Sequence, residues 1–341
     1  MPAKKILVTG GTGYIGSHTV VELINAGYEP VIIDNLSNSS QQIINQIEKI
    51  TGVKPEFYDF DLCDEQKTLG FIQAHPEIEG IIHFAAFKSV GESVSQPLKY
   101  YKNNIYSLIN LLESASERKM NFVFSSSCTV YGEPDSLPVN ELALVKKAES
   151  PYGNTKQIAE EILAETASVN NNLKVIALRY FNPVGAHASA LIGELPIGVP
   201  QNLVPFITQA AIGKRGNIIV FGDDYNTPDG TCIRDYIHVV DLAKAHVAAI
   251  KKLEENPLQY DVYNIGTGSG NSVMEVIQAF ELANGQKLNY TIGPRRPGDI
   301  IQIYGDVSKA ERELSWKAQL NLQDMMSSAW NWEKYLRDNP F

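Results

Sequence analysis

The run Thr9-Gly10-Gly11-Thr12-Gly13-Tyr14-Ile15-Gly16 stands between an apolar β-branched segment, Ile6 to Val8, and a helical pattern from Ile15 to Gly27. Glycines spaced G-x-x-G-x-x-G at a strand-to-helix turn allow a tight turn, close approach of a pyrophosphate to the backbone and close packing of helix on strand. The helix N-terminus then offers N–H donors to phosphate. Taken alone, the same run also fits an ordinary turn. Asp34 closes the next strand 18 residues after Gly16. A carboxylate there accepts from the adenosine ribose hydroxyls, and no Arg follows at once to receive a 2′-phosphate. The pattern implies a dinucleotide, and NAD rather than NADP. Asp61, at the end of the third strand, is placed to meet the adenine amino group.

The pattern continues as strand and helix in alternation. Val31 to Ile33, Glu56 to Phe60, Ile81 to Phe84, Asn121 to Ser125 and Val175 to Leu178 read as strands of the buried, parallel kind. Gln41 to Ile50, Glu65 to Ala74, Pro97 to Lys119 and Pro151 to Val169 read as the helices between them. The expected fold is α/β: a doubly wound parallel Rossmann sheet with a smaller C-terminal α/β substrate domain. Gly and Pro become frequent after about Tyr180, so the 341 residues divide into an NAD-binding domain, 1–181, and a second domain, 182–341. The amphipathic segment Val239 to Ile250, with Asp241 in its first turn, suits packing back on the first domain, which is expected to be rejoined by about 236–265.

Several classes are disfavoured. A formal charge of −10, from 29 basic and 39 acidic residues, repels a phosphate backbone, so no nucleic acid is expected. No stretch reaches the roughly 18 apolar residues of a membrane span, so no membrane partner is expected. The N-terminal residues Met1 to Lys5 lead straight into the first strand with no signal-peptide core. Cys63, Cys128 and Cys232 show no C-x-x-C spacing. Both features fit a reduced, cytoplasmic compartment. The histidines form no H-E-x-x-H pair, and no metal is expected.

Tyr152-Gly153-Asn154-Thr155-Lys156 opens a helix after Pro151, and i, i+4 spacing puts phenol and ammonium on one face. Such a pair also occurs as a core tyrosine beside a solvated lysine. Ser127, just past the strand Asn121 to Ser125, lies at the carboxyl edge of the sheet, where ligands bind. A phenol of pKa about 10 is a poor base at neutral pH, and bringing it near 7 takes roughly 4 kcal/mol, which Lys156 and an oxidised nicotinamide are expected to supply. Ser127 then hydrogen-bonds the substrate oxygen.

The glycine loop with Ser127, Tyr152 and Lys156 resembles the extended short-chain dehydrogenase/reductase superfamily. The stretches His83 to Lys88 with Val90 to Ser93, Arg179 to His187, Gly230 to Val239 and Arg295-Arg296-Pro297-Gly298-Asp299 are similar to the UDP-glucose 4-epimerase family, a likeness running from residue 4 to about 335. The resemblance implies that Tyr152 removes the proton of the sugar 4-hydroxyl while C4 passes hydride to NAD. Lys156 would hold the nicotinamide ribose, and the 4-keto sugar would turn over and take the hydride back. It implies cofactor contacts at Gly10, Gly13, Tyr14, Ile15, Gly16, Asp34, Asn35, Asp61, Leu62, Phe84, Ala85, Lys88, Asn103, Tyr152, Lys156 and Tyr180. It implies UDP-sugar contacts at Lys88, Ser127, Tyr152, Asn182, Asn202, Leu203, Phe221, Arg234, Arg296, Asp299 and Ile303. A homodimer through the helices Pro97 to Lys119 and Pro151 to Val169 is implied as well.

Arg234 and Arg296 suit bidentate diphosphate recognition in an acidic protein, although an Arg234–Asp235 surface pair is the plainer alternative. Cys128 replaces the family's usual Ala and reads as a small buried hydrophobe. Ile303 falls where the family faces the sugar 2-substituent; its intermediate size favours plain hexoses and leaves N-acetyl sugars open. Nucleotide-sugar 4,6-dehydratases typically carry Asp-Glu directly after the serine, where this chain has Cys128-Thr129. A dehydrogenase that releases NADH and a non-catalytic NAD sensor are the remaining alternatives. Gly266 to Gly270 imitates a second nucleotide loop but lacks an acidic partner, and Ser272 reads as a helix N-cap. His83 reads as a satisfied core histidine.

Overall fold

Successive residues of the central strands enter different cores. Ile6, Val8, Ile32, Ile82, Val123 and Ile176 join one hydrophobic cluster with Val20, Leu23, Leu242 and Ile250, while Leu7, Val31, Ile33, Ile81, Phe122 and Val175 join another with Phe71, Leu108, Leu111 and Leu163. A strand apolar on both faces is buried on both, which accounts for the continuous β-branched runs. The computed structural model describes residues 3–255, 258–296 and 299–341. Met1 and Pro2 of the N-terminal reading and Pro297-Gly298 of the Arg295 to Asp299 run lie outside the described residues.

Among the described residues, seven parallel strands form the central sheet: β1 (Lys5–Thr9), β2 (Glu29–Asp34), β3 (Glu56–Asp59), β4 (Ile78–His83), β5 (Met120–Ser127), β6 (Leu173–Tyr180) and β7 (Tyr260–Ile265). Their order is β7-β6-β5-β4-β1-β2-β3. The order reverses between β1 and β4, where connections diverge to opposite sides and leave a crevice at the carboxyl edge. The helices are α1 (Tyr14–Asn25), α2 (Gln42–Thr51), α3 (Glu65–Ala74), α4 (Val90–Ser95), α5 (Pro97–Ala115), α6 (Pro151–Val169), α7 (Leu203–Ala211), α8 (Val239–Glu255), α9 (Val273–Asn284), α10 (Ser308–Glu313) and α11 (Leu322–Asp338). Residues of α1, α2 and α8 fill the first core, and residues of α3, α5 and α6 the second.

Some local bounds differ from the sequence expectations. β5 and β6 run further, so Ser127 ends its strand in register with Tyr180 instead of lying beyond it. The short helix α4 was not legible; Ser89 caps it by accepting from Glu92 N. α5 stops at Ala115, not Lys119, with Ser116 as its C-cap.

After Phe181 the chain builds a third core from Val204, Ile207, Val220, Phe280 and Met325. Three small strand sets accompany it. Ile218–Phe221 pairs with Tyr290–Gly293, Asn182–Val184 with Tyr236–His238, and Ile233–Arg234 lies between Asn271–Ser272 and Gln302–Ile303. The chain returns to the first sheet in between: α8 contributes Leu242 and Ile250 to its core, and β7 pairs with β6. α9 begins with a capping box of Ser272 and Glu275, matching the N-cap reading of Ser272. No helix among the described residues is long and apolar enough to cross a membrane.

Candidate active site

The glycine loop is packed so closely that side chains are excluded from it. Gly10, at φ +71°, lies against the segment after β4, where an added Cβ would sit 2.8 Å from Ala85 N. A Cβ on Gly16 would sit 2.2 Å from the Gly10 carbonyl oxygen. Gly13 caps α1 without any side-chain bond, so the N–H groups of the first turn, at Tyr14, Ile15 and Gly16, meet no capping side chain and stay available to an anion. Asp34 faces this loop: its Oδ2 accepts from Thr12 N at 3.2 Å, and its Oδ1 accepts from Leu36 N at 2.9 Å and Ser39 Oγ at 3.2 Å. Oδ2, with one donor, keeps accepting capacity for a hydroxyl. Asn35 Nδ2 donates to Asp61 Oδ2 at 3.2 Å, which ties the ends of β2 and β3 together.

The rest of the candidate nucleotide edge is held by hydrogen bonds from neighbouring segments. The Leu62 carbonyl accepts from Asn110 Nδ2 at 2.8 Å, and Asn103 Nδ2 donates to Asn104 Oδ1 at 3.0 Å. Phe84 N donates to Thr9 O at 3.0 Å, which brings Phe84 and Ala85 to the crevice beside Gly10. The Tyr14 hydroxyl donates to Gly185 O at 2.6 Å and so joins α1 to the chain beyond β6. His83 is a satisfied core residue. Its Nδ1 shares a 2.8 Å bond with Thr9 Oγ1, and burial lowers it to about 3.

Tyr152 and Lys156 occupy the start of α6, where Ser150 caps the helix by accepting from Gly153 N at 3.1 Å and Pro151 starts it. Lys156 is 4% exposed; its Nζ donates to Ser125 O at 2.6 Å and lies 6.0 Å from the Tyr152 ring centroid. Ser125 and Tyr180 are hydrogen-bonded through their hydroxyls. Burial pushes the Tyr152 phenol well above its ordinary value and nearby Tyr180 adds to this, while the neighbouring Ser127 side chain pulls it down. Burial also lowers Lys156 to about 7, with Glu160 pulling it back up.

Burial thus disfavours the charged form of the lysine, which spends one donor on the Ser125 carbonyl. Cys128 is buried, and burial pushes its thiol up to about 12, which makes it a small apolar filler and a poor nucleophile.

The sugar-side candidates gather on the small strands. Arg234 Nη2 lies 4.0 Å from Asp299 Oδ1, and Arg296 Nε lies 3.7 Å from Asp299 Oδ2. One carboxylate thus gathers two guanidiniums at distances too long to consume their donors. The Arg296 guanidinium also sits 4.7 Å from the ring centroid of Phe221. Ile303 pairs in register with Arg234 and is buried with Cys128, Val139 and Phe181. Asn182 N donates to Asp235 O at 2.9 Å. Asn202 caps α7 without a side-chain bond to it, and its neighbour Leu203 packs on the third core. Lys88 Nζ and Asn202 Nδ2 both reach Glu194 Oε1, at 3.2 and 2.8 Å.

The Arg234–Asp235 pair is not formed. Asp235 is fully buried and belongs to the loop Gly266 to Gly270: its Oδ1 accepts from Thr267 N at 2.8 Å and its Oδ2 from Gly268 N at 3.1 Å. That loop binds an anion after all, but an internal one. The sequence reading sought its acidic partner downstream, whereas the carboxylate comes from upstream. Glu160 and Arg179 also escaped notice. Glu160 lies one turn after Lys156 on α6 and accepts from Arg179 Nη2 at 2.5 Å and from Ser126 Oγ at 2.5 Å. The i, i+4 spacing from Lys156 was the available signal. Among the described residues, no group of three or more His, Cys, Asp or Glu is placed to hold a metal ion.

A doubly wound sheet with a glycine loop at its switch point and a Ser, Tyr, Lys set on β5 and α6 defines an extended short-chain dehydrogenase/reductase. A family model described as GDP-mannose 4,6 dehydratase matches residues 7–329. The UDP-glucose 4-epimerase of Bacillus subtilis (strain 168) is 50% identical over 329 residues, which is 96% of this chain and 96% of that protein. The crystal structure of UDP-glucose-4-epimerase from Stenotrophomonas maltophila with bound NAD and formylated UDP-arabinopyranose is 48% identical at a TM-score of 0.95, covering 98% of this chain and 99% of that one. The UDP-glucose 4-epimerase of Bifidobacterium longum in complex with NAD+ and UDP is 47% identical at a TM-score of 0.92, covering 99% of each chain. The chain belongs to the UDP-glucose 4-epimerase family.

Proposed function

We propose that this protein, an NAD-dependent isomerase, interconverts UDP-galactose and UDP-glucose by inverting C4 through a transient 4-keto sugar. The observation that carries the reading is the buried Ser127, Tyr152 and Lys156 set, with Ser127 ending β5, Tyr152 and Lys156 opening α6, and Lys156 Nζ tied to Ser125 O at 2.6 Å, beside the Gly10 to Gly16 loop. The tight packing of the loop at Gly10 and Gly16, together with the uncapped N–H groups at the start of α1, supports its reading as the site of a dinucleotide pyrophosphate. Asp34 and Asn35 would hold the adenosine ribose and Lys156 the nicotinamide ribose. When bound, NAD accepts the C4 hydride and returns it, so no net redox change results.

Tyr152 takes the proton of the 4-hydroxyl and later gives it back. Ser127 donates to the same oxygen as its carbonyl character grows. The phenol is held protonated by burial in the protein alone, so it becomes a base only when positive charge stands beside it; Lys156⁺ and the oxidised ring together are the sources. Arg234 and Arg296 would grip the diphosphate, with Phe221 against the base. Cys128-Thr129 after Ser127 offers neither carboxyl of the acid–base pair that a dehydratase needs.

Ile303, buried among apolar side chains, suits a plain hexose, with weaker use of UDP-N-acetylhexosamines. α5, which exposes Leu98 and Tyr106, packs with α6 as the surface proposed for a homodimer. The three free cysteines suit a reduced, cytoplasmic setting. The deciding experiment incubates purified protein with UDP-galactose and no added NAD. Formation of UDP-glucose is expected, and NADH accumulation on adding NAD, without UDP-glucose, would overturn the reading.

A further inference from the structure

Glu194 belongs to no motif of the reaction, yet its chain segment is held firmly at the cleft. Its carbonyl accepts from Trp332 Nε1 at 2.8 Å. The preceding Gly193 lies face-on to that indole, where an added Cβ would sit 2.5 Å from the ring. The Gly193 backbone bridges to Ala186, and His187 N donates to Ile192 O at 3.1 Å. The side chain placed in this way is only 11% exposed. One of its oxygens, Oε1, accepts from both Lys88 Nζ and Asn202 Nδ2.

Those two donors come from opposite walls. Lys88 follows β4 in the nucleotide half, and Asn202 begins α7 in the other. Asn202 gives up a local preference to reach Glu194. An Asn at a helix N-cap ordinarily accepts from the first turn, and this one makes no such bond.

We infer that Glu194 is a positioning residue that clasps Lys88 to Asn202 across the cleft and so aims both at the UDP-sugar. The inference rests on the proposed function and on the family resemblance, which implies UDP-sugar contacts at Lys88 and Asn202. With one N–H committed to Glu194, the Asn202 amide presents its second N–H and its Oδ1 in a set orientation. Lys88 likewise gives up rotamer freedom before binding, and a group ordered in advance loses less entropy when the ligand arrives. Because both bonds converge on Oε1, Glu194→Gln preserves an acceptor for both donors, whereas Glu194→Ala removes it.

The test uses the NAD-loaded protein, with UDP affinity by calorimetry and epimerisation kinetics on UDP-galactose. Glu194→Ala is expected to weaken UDP and raise KM about tenfold, one charge-assisted hydrogen bond's worth, while kcat changes by less than about threefold. Glu194→Gln should recover to within about threefold of the parent, and Asn202→Ala added to Glu194→Ala should cost less than about twofold more. A Glu194→Ala variant with a lower melting temperature and kcat but unchanged UDP affinity and KM would overturn the clasp in favour of simple loop support. Tighter UDP binding in both variants would overturn it in favour of charge repulsion. Parent protein that binds UDP without epimerising it would overturn only the activity. Parent protein that binds no UDP would overturn both.

Discussion

The glycine-loop edge and the arginine edge of the cleft are built from different materials. At the first, the groups proposed to bind are main-chain N–H donors and a carboxylate already bonded to that main chain, held where not even a methyl group can be added. At the second, they are side chains. Arg234 is 17% and Arg296 51% exposed, and both are gathered loosely on Asp299. A backbone cradle tolerates almost no change in shape, because every atom that contacts the ligand also carries the fold. A side-chain edge can be altered one residue at a time. The difference teaches where variation belongs: a backbone cradle is committed to one ligand shape, whereas side chains can be exchanged to fit another.

The comparison can be broken or sharpened by substitution. The largest effect belongs to the group poised between the edges: Tyr152→Phe should lower kcat about a thousandfold, the range of a lost general base, with NAD content and melting temperature unchanged. Next comes the rigid edge. Gly16→Ala forces a Cβ onto the Gly10 carbonyl at a cost of about 3 kcal/mol, or roughly a hundredfold in NAD affinity, read as loss of nucleotide released from the purified protein. Retention of a full complement of nucleotide would show the cradle to be softer than its packing implies.

On the adjustable edge, Arg234→Met should raise KM about thirtyfold, the worth of a charged hydrogen bond of about 2 kcal/mol, with kcat little affected. Arg296→Met should do less, since solvent screens its more exposed charge. The smallest expected change is one of selectivity. Ile303→Ser removes apolar bulk from the pocket wall and should improve turnover of UDP-N-acetylgalactosamine relative to UDP-galactose about tenfold, the scale of a methylene or two. An unchanged ratio would place the sugar 2-substituent away from Ile303.

The two edges also differed in how much the sequence disclosed. The doubly wound sheet was legible because strands buried on both faces must be apolar throughout, and the positions of Gly10, Asp34 and Asp61 followed from their places at strand ends. The start of α6 was legible from Pro151, and the cap of α9 from Ser272. By contrast, the sequence offered Asp235 as a surface partner for Arg234, when burial commits it to the amides of Thr267 and Gly268. The phenol–lysine pair was legible as a pair but not in its charge state, because desolvation depends on what covers a group.

By itself, then, the amino-acid order determined the properties that live within a few residues of one another: the turn that only glycine permits, the helix caps, the i, i+4 pairing of Tyr152 with Lys156, and the alternation that sends neighbours into opposite cores. Tertiary structure alone decided which charge meets which. Glu194 meets Lys88, Asp299 meets Arg234 and Glu160 meets Arg179, each pair joined from separate elements of the chain. The reason is physical: local signals act through fixed covalent geometry, whereas an ion pair depends on distance and burial, and both are set only when separate segments pack.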